Sequence, residues 1–128
     1  MHKDKKIKIL VVEDEPALIG VLDDKLTREG FSVIRAMDGE VGLKMVSDEK
    51  PDLILLDIIM PKMDGITMLK KLRESEDGKN IPVIILTNLS DSEKNTEMTE
   101  KGVLDFLIKT NWKLDDVVKK IKQRLNLE

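Results

Sequence analysis

Short apolar runs alternate with amphipathic stretches along the 128-residue chain. Ile7-Lys8-Ile9-Leu10-Val11-Val12, Asp52-Leu53-Ile54-Leu55-Leu56-Asp57 and Pro82-Val83-Ile84-Ile85-Leu86-Thr87 are nearly continuous and rich in branched side chains. That is the pattern of parallel strands covered on both faces. Ser32-Val33-Ile34-Arg35-Ala36 and Leu104-Asp105-Phe106-Leu107-Ile108 are more polar and are expected at the sheet edges. Between the runs the apolar period lengthens to that of a helix. From Pro16 to Glu29 the stripe is Leu18, Val21, Leu22 and Leu26, with Pro16 suited to the first turn and Gly30 to the stop. Glu40 to Asp48 carries Val41, Leu43, Met45 and Val46, and Ile66 to Glu74 carries Ile66, Leu69 and Leu72. Lys113 to Leu125 has the clearest stripe: Leu114, Val117, Val118, Ile121 and Leu125. Asp91 to Lys101 has Met98 as its one large apolar residue, which predicts a weakly anchored helix. Strict strand–helix alternation predicts an α/β fold, a doubly wound five-stranded parallel sheet with helices on both faces. With no repeat or linker in the pattern, one domain is expected over residues 1–128, its core running from about 6 to 125.

Composition narrows the chemistry. Hydrophobic residues are 41% and charged residues 37%, which predicts a globule with a strongly solvated surface. Phe31, Phe106 and Trp112 are the only aromatics, so the core must be built from Ile, Leu, Val and Met. The absence of cysteine excludes disulfides, thiol catalysis and cysteine-based zinc sites. His2 is the one histidine, which excludes a histidine metal cluster and argues against a histidine-based triad. A net charge of −3 supplies no basic field for nucleic acid. No apolar run approaches the ~18 residues of a membrane span, and no signal-peptide pattern stands at the start. A cytoplasmic protein that contacts neither membrane nor nucleic acid directly is expected.

Ligands of open parallel sheets bind beyond the carboxyl ends of the strands. Those ends here are Glu13-Asp14-Glu15, Asp57, Thr87-Asn88 and Lys109. Several carboxylates, a hydroxyl and an ammonium would therefore meet on one rim. Two carboxylates ~4 Å apart repel by about 4 kcal/mol at an effective dielectric of ~20. A cation removes that penalty, and Mg2+ favours carboxylate oxygens completed by water and phosphate. Because an aspartate can also act as a nucleophile toward phosphorus, the set points to phosphoryl transfer onto a carboxylate.

The same segments carry a family resemblance. Ile9-Leu10-Val11-Val12-Glu13-Asp14-Glu15, Pro51-Asp52-Leu53-Ile54-Leu55-Leu56-Asp57, Met60-Pro61-Lys62-Met63-Asp64-Gly65, Pro82-Val83-Ile84-Ile85-Leu86-Thr87 and Asp105-Phe106-Leu107-Ile108-Lys109 stand in order at compatible spacing. From about Lys6 to Leu125 the chain resembles a response-regulator receiver domain of bacterial two-component systems, of the chemotaxis-regulator type. The resemblance implies a flavodoxin-like sheet of strand order 2-1-3-4-5. It implies Asp57 as phosphoacceptor, Asp14 and Asp57 as direct ligands of Mg2+ or Mn2+, Glu13 acting through a metal-bound water, and the backbone carbonyl of Ile59 as a further ligand. Thr87 and Lys109 would hold phosphoryl oxygens, helped by the N–H groups of Ile59 and Asn88. Thr87 and Phe106 would form the switch, altering a face made of the Asp91–Lys101 helix, the last strand and the last helix. The implied partners are a sensor histidine kinase or phosphotransfer protein and a downstream protein target. The implied state is a monomer or a weak phosphorylation-dependent dimer. Such a protein is no enzyme beyond catalysing its own phosphorylation and slow dephosphorylation.

The sequence departs from the family pattern in places. Thr110 replaces the usual proline after the lysine, and Asn88 is larger than the usual small residue after the switch threonine. Ile59 and Leu89 are apolar where they would flank the incoming water, which predicts slow self-dephosphorylation. Thr110 and Asn88 keep open a pseudo-receiver that binds partners without phosphorylation. A phosphatase of the haloacid-dehalogenase type would need an aspartate where Ile59 stands. A nucleotide-binding module would need a glycine pattern that the chain lacks.

Overall fold

The computed structural model describes residues 6–57, 65–87, 105–108 and 113–127, with the side chains of Thr87 and of Asp105–Ile108 outside that description. Five parallel strands form one sheet: β1 (Lys8–Val12), β2 (Ser32–Ala36), β3 (Leu53–Asp57), β4 (Val83–Thr87) and β5 (Asp105–Ile108). Their order is β2-β1-β3-β4-β5, as the resemblance implies, and the two more polar strands lie at the edges. The described helices are α1 (Pro16–Arg28), α2 (Gly39–Glu49), α3 (Gly65–Glu74) and α4 (Leu114–Arg124). The Asp91–Lys101 helix expected from the sequence lies outside the described residues.

Alternation along each strand divides the core in two. Leu10, Val12, Ile54, Leu56, Val83 and Ile85 point to the face covered by α2 and α3, where Val46, Met68, Leu69 and Leu72 meet them. Ile9, Val11, Leu53, Leu55, Ile84 and Leu86 point to the other face, under Ile19, Leu22 and Leu26 of α1 and Val117, Val118 and Ile121 of α4. The three central strands thus have no solvent-facing side, which is why their sequences read as unbroken apolar runs.

Two of the expected helical stripes are corrected. In α1, Val21 is 46% exposed and Ile19 takes the buried place, because Ile19, Leu22 and Leu26 hold the 3–4 residue spacing of one face. In α2, Val41 is 40% exposed, while Gly39, Gly42 and Val46 are buried. A Cβ on Gly42 would stand 2.9 Å from Met68 Cε and 3.1 Å from Val12 Cγ2. The missing side chain is what brings α2 close to β1 and α3, and counting large apolar residues does not reveal it.

Helix ends follow local chemistry. Asp38 Oδ1 accepts from Val41 N at 2.9 Å and caps α2. Gly30 takes φ +98°, so that its N–H reaches Thr27 O at 3.0 Å and Phe31 N reaches Leu26 O at 3.0 Å. This turn ends α1 and delivers Phe31, which is buried, into the core. Asn126 does the same for α4 with φ 59°, as Leu127 N donates to Lys122 O at 2.7 Å.

Two glycines of one helix region separate backbone effects. A Cβ at Gly20 meets nothing within 4 Å inside α1, whereas Gly30 sits at a positive φ. Gly20→Ala is expected to stabilise by about 1 kcal/mol through helix propensity. Gly30→Ala is expected to cost about 1–2 kcal/mol. Thermal unfolding should show shifts of opposite sign, each of about 4 °C or more.

Candidate functional site

In the order β2-β1-β3-β4-β5 the chain passes from β1 outward to β2 and returns to β3 on the other side. The boundary between β1 and β3 is therefore the topological switch point, where crossovers leave in opposite directions and a crevice opens beyond the strand ends. Val12 of β1 is in register with Leu56 of β3 and with Ala36 of β2. The next residues, Glu13 and Asp57, stand side by side at the rim. Glu13 N donates to Ala36 O at 3.0 Å, so backbone pairing continues one residue past β1 and fixes where this side chain begins.

Glu13, Asp14 and Asp57 each bring a carboxylate oxygen to within 4.8 Å of the other two. Glu13 is 1% exposed, Asp57 is 4% exposed, and Asp14 is half-buried. The Glu15 N–H donates to Glu13 Oε2 at 3.1 Å. This turns the Glu13 carboxylate back over the start of α1 and offers one charge-assisted bond. Across 4.8 Å a pair of ionised carboxylates repels by about 3.5 kcal/mol at an effective dielectric of ~20. The donor set is made of hard oxygens from acidic side chains, which suits a small divalent cation such as Mg2+ or Mn2+ and does not suit a soft metal.

The structure thus brings together three of the residues singled out in the sequence. Thr87 ends β4, one residue beyond Leu86, which is in register with Asp57. Phe106 lies in β5 opposite Ile85. Their backbones lie in the strands expected for them, while their side chains are outside the description. Ile59, Asn88, Leu89, Lys109, Thr110 and the segment from Met60 to Asp64 lie outside the described residues. Reading side chains could not reveal the role of the Glu15 amide, because every residue but proline carries that donor.

The family model for the response regulator receiver domain matches residues 9–122. The chain belongs to the response-regulator receiver family. Its sequence is similar to Response regulator PleD of Caulobacter vibrioides, 41% identical over 111 residues, which cover 87% of this chain and 24% of PleD. The chain spans under half the length of the curated relatives it matches. Its structure is similar to the CheY-like response regulator receiver domain protein of Methanospirillum hungatei, with a TM-score of 0.89 at 26% identity and 95% of each chain covered. It is also similar to the receiver domain of sensor histidine kinase PA1611 from Pseudomonas aeruginosa, solved with a magnesium ion coordinated in the active site cleft. There the TM-score is 0.83 at 26% identity, over 93% of this chain and 97% of that one. Receivers are signalling domains of two-component systems and not enzymes in the ordinary sense. Among the described residues no helix is long and apolar enough to cross a membrane.

The crowded carboxylates generate a sign-reversing prediction for this receiver. Glu13→Gln keeps an oxygen for the Glu15 N–H and removes one charge. In chelator the variant is expected to melt higher than the unmodified chain, by about 1–3 kcal/mol of relieved repulsion. In saturating Mg2+ the order should invert, because only the native site gains full linkage from the ion. Equal melting shifts in both buffers would reject mutual repulsion at the rim.

Proposed function

We propose that this receiver is a phosphorylation-dependent signalling switch whose phosphoacceptor is Asp57. The observation that carries the reading is the meeting of Asp57 with Glu13 and Asp14 at the switch point. Asp14 and Asp57 are assigned as direct ligands of Mg2+ or Mn2+, Glu13 as a ligand through water, and the Ile59 carbonyl as the remaining protein ligand. When bound, the ion neutralises the rim and the charge on the incoming phosphoryl oxygens. Fit of the site to the ion rests on the oxygen donors described above, and the magnesium in the PA1611 receiver supports it.

The residues of the chain supply position more than covalent chemistry, because the transition state of phosphoryl transfer is loose. A carboxylate oxygen of Asp57 forms the new bond to phosphorus as the bond from phosphorus to the donor's imidazole nitrogen breaks. The imidazole leaves with the electron pair and takes up a proton. Burial of Asp57 limits its motion, and one of its oxygens lies within 4.8 Å of those of Glu13 and Asp14. Thr87 and Lys109 are assigned to hold phosphoryl oxygens once transfer has occurred. Thr87 and Phe106 then reset the face made by residues 91–101, β5 and α4, where a downstream protein target binds. The donor is a sensor histidine kinase or a phosphotransfer protein, the compartment is the cytoplasm, and the whole chain works as one receiver domain.

Mass measurement after treatment with acetyl phosphate tests the assignment. One phosphoryl adduct is expected with Mg2+, none in chelator, and none in Asp57→Asn. Lack of an adduct in the unmodified chain would favour an interaction module that works without phosphorylation. A second outcome concerns lifetime. Ile59 and Leu89 have no group that orients water, so decay of the phosphorylated chain is expected to be slow. Polar replacements at both positions should speed it by about tenfold or more. Unchanged decay would reject that account.

A further inference from the structure

We infer that Met37 and Val41 form an apolar lip beside the acidic rim, against which a macromolecular phosphodonor seats. The inference rests on the phosphoacceptor reading and names a surface through which one class of partner is recognised. Ala36 is in register with Val12, and Val12 with Leu56. Met37, Glu13 and Asp57 therefore occupy the next level across three adjacent strands. Two strand spacings place the Met37 backbone about 10 Å from that of Asp57. Met37 is 45% exposed and Val41 40% exposed. They flank Asp38, which is itself buried and caps α2 through the Val41 N–H at 2.9 Å. The cap holds this corner in place, so the lip is presented by an ordered turn.

Single apolar residues scattered on a surface need no explanation. The described residues include four large hydrophobics that are exposed, Val21, Met37, Val41 and Leu127, and two of the four fall at this one corner. The occupant follows from reach. Asp57 is 4% exposed, so a phosphoryl group must be carried into the crevice. A histidine side chain is short, so the protein that bears it must lay its own surface on the rim, and Met37 stands inside that footprint. A small donor such as acetyl phosphate enters without touching the lip. Methionine suits such a seat, since its flexible, polarisable side chain adapts to an apolar partner surface.

The double variant Met37→Gln/Val41→Gln tests the lip with two kinds of donor. One is acetyl phosphate. The other is a panel of purified monomeric histidine phosphotransfer domains, phosphorylated on histidine with phosphoramidate. Labelling by acetyl phosphate should stay within about twofold of the unmodified chain, while transfer from the protein donors falls by about tenfold or more. Leu127→Gln, an exposed apolar position beyond the far end of α4, should change neither rate. Because acetyl phosphate reports on the folded, competent site, a folding defect would appear in both arms. Equal protein-donor rates in variant and unmodified chain overturn the inference, as does parallel slowing with both donors. It is also overturned if acetyl phosphate labels the unmodified chain and no protein donor does. Failure of acetyl phosphate to label the unmodified chain would remove the phosphoacceptor reading itself, and the lip with it.

Discussion

Three central strands with no wet face constrain everything else in this receiver. The central strands β1, β3 and β4 are sealed between α2 and α3 on one side and α1 and α4 on the other. Inside those layers an unpaired polar side chain would cost several kcal/mol. Polar chemistry is therefore pushed to where the strands stop. Glu13 and Asp14 follow β1, and Asp57 is the last residue of β3. The site is thus a consequence of how the core is closed, and the strand order decides which of the strand ends become neighbours.

Backbone bonds hold the β1 side of the rim. The bond from Glu13 N to Ala36 O extends the pairing of β1 with β2, and the Glu15 amide takes one oxygen of Glu13. Pro16 starts α1 directly behind, fixing the turn that carries Asp14 and Glu15. A site that gathers like charges gains from such rigidity. Backbone pairing fixes where the Glu13 and Asp57 side chains begin, and their carboxylates and that of Asp14 meet within 4.8 Å as a ready set of oxygens for a cation. The same backbone geometry sets Met37 beside Glu13, joining the chemistry of the rim to the surface that would meet a protein donor.

Some elements were plain in the sequence and others were hidden, for physical reasons. Strands β1, β3 and β4 were legible because burial on both faces forces continuous apolar runs, and their observed bounds differ by one residue at the start. The stripe of α4 was legible because Val117, Val118 and Ile121 all face inward. In α1 and α2 the reading by size misled. Val21 and Val41 are large, apolar and outside, while Gly42 is small and inside. A glycine buries no side chain, so its value to packing shows only when the neighbouring helix and strand are in place.

The amino-acid order alone determined that a parallel α/β sheet forms, which polar residues end its strands, and which family pattern they match. Those are properties of local period and chemical type, and both survive without a third dimension. Tertiary structure decided that Glu13, Asp14 and Asp57 share one crevice with their oxygens within 4.8 Å. It also decided that the Glu15 amide holds one of them and that Met37 stands level with the pair from β1 and β3. Those facts depend on which strands are adjacent and in what register, and long-range backbone pairing sets both.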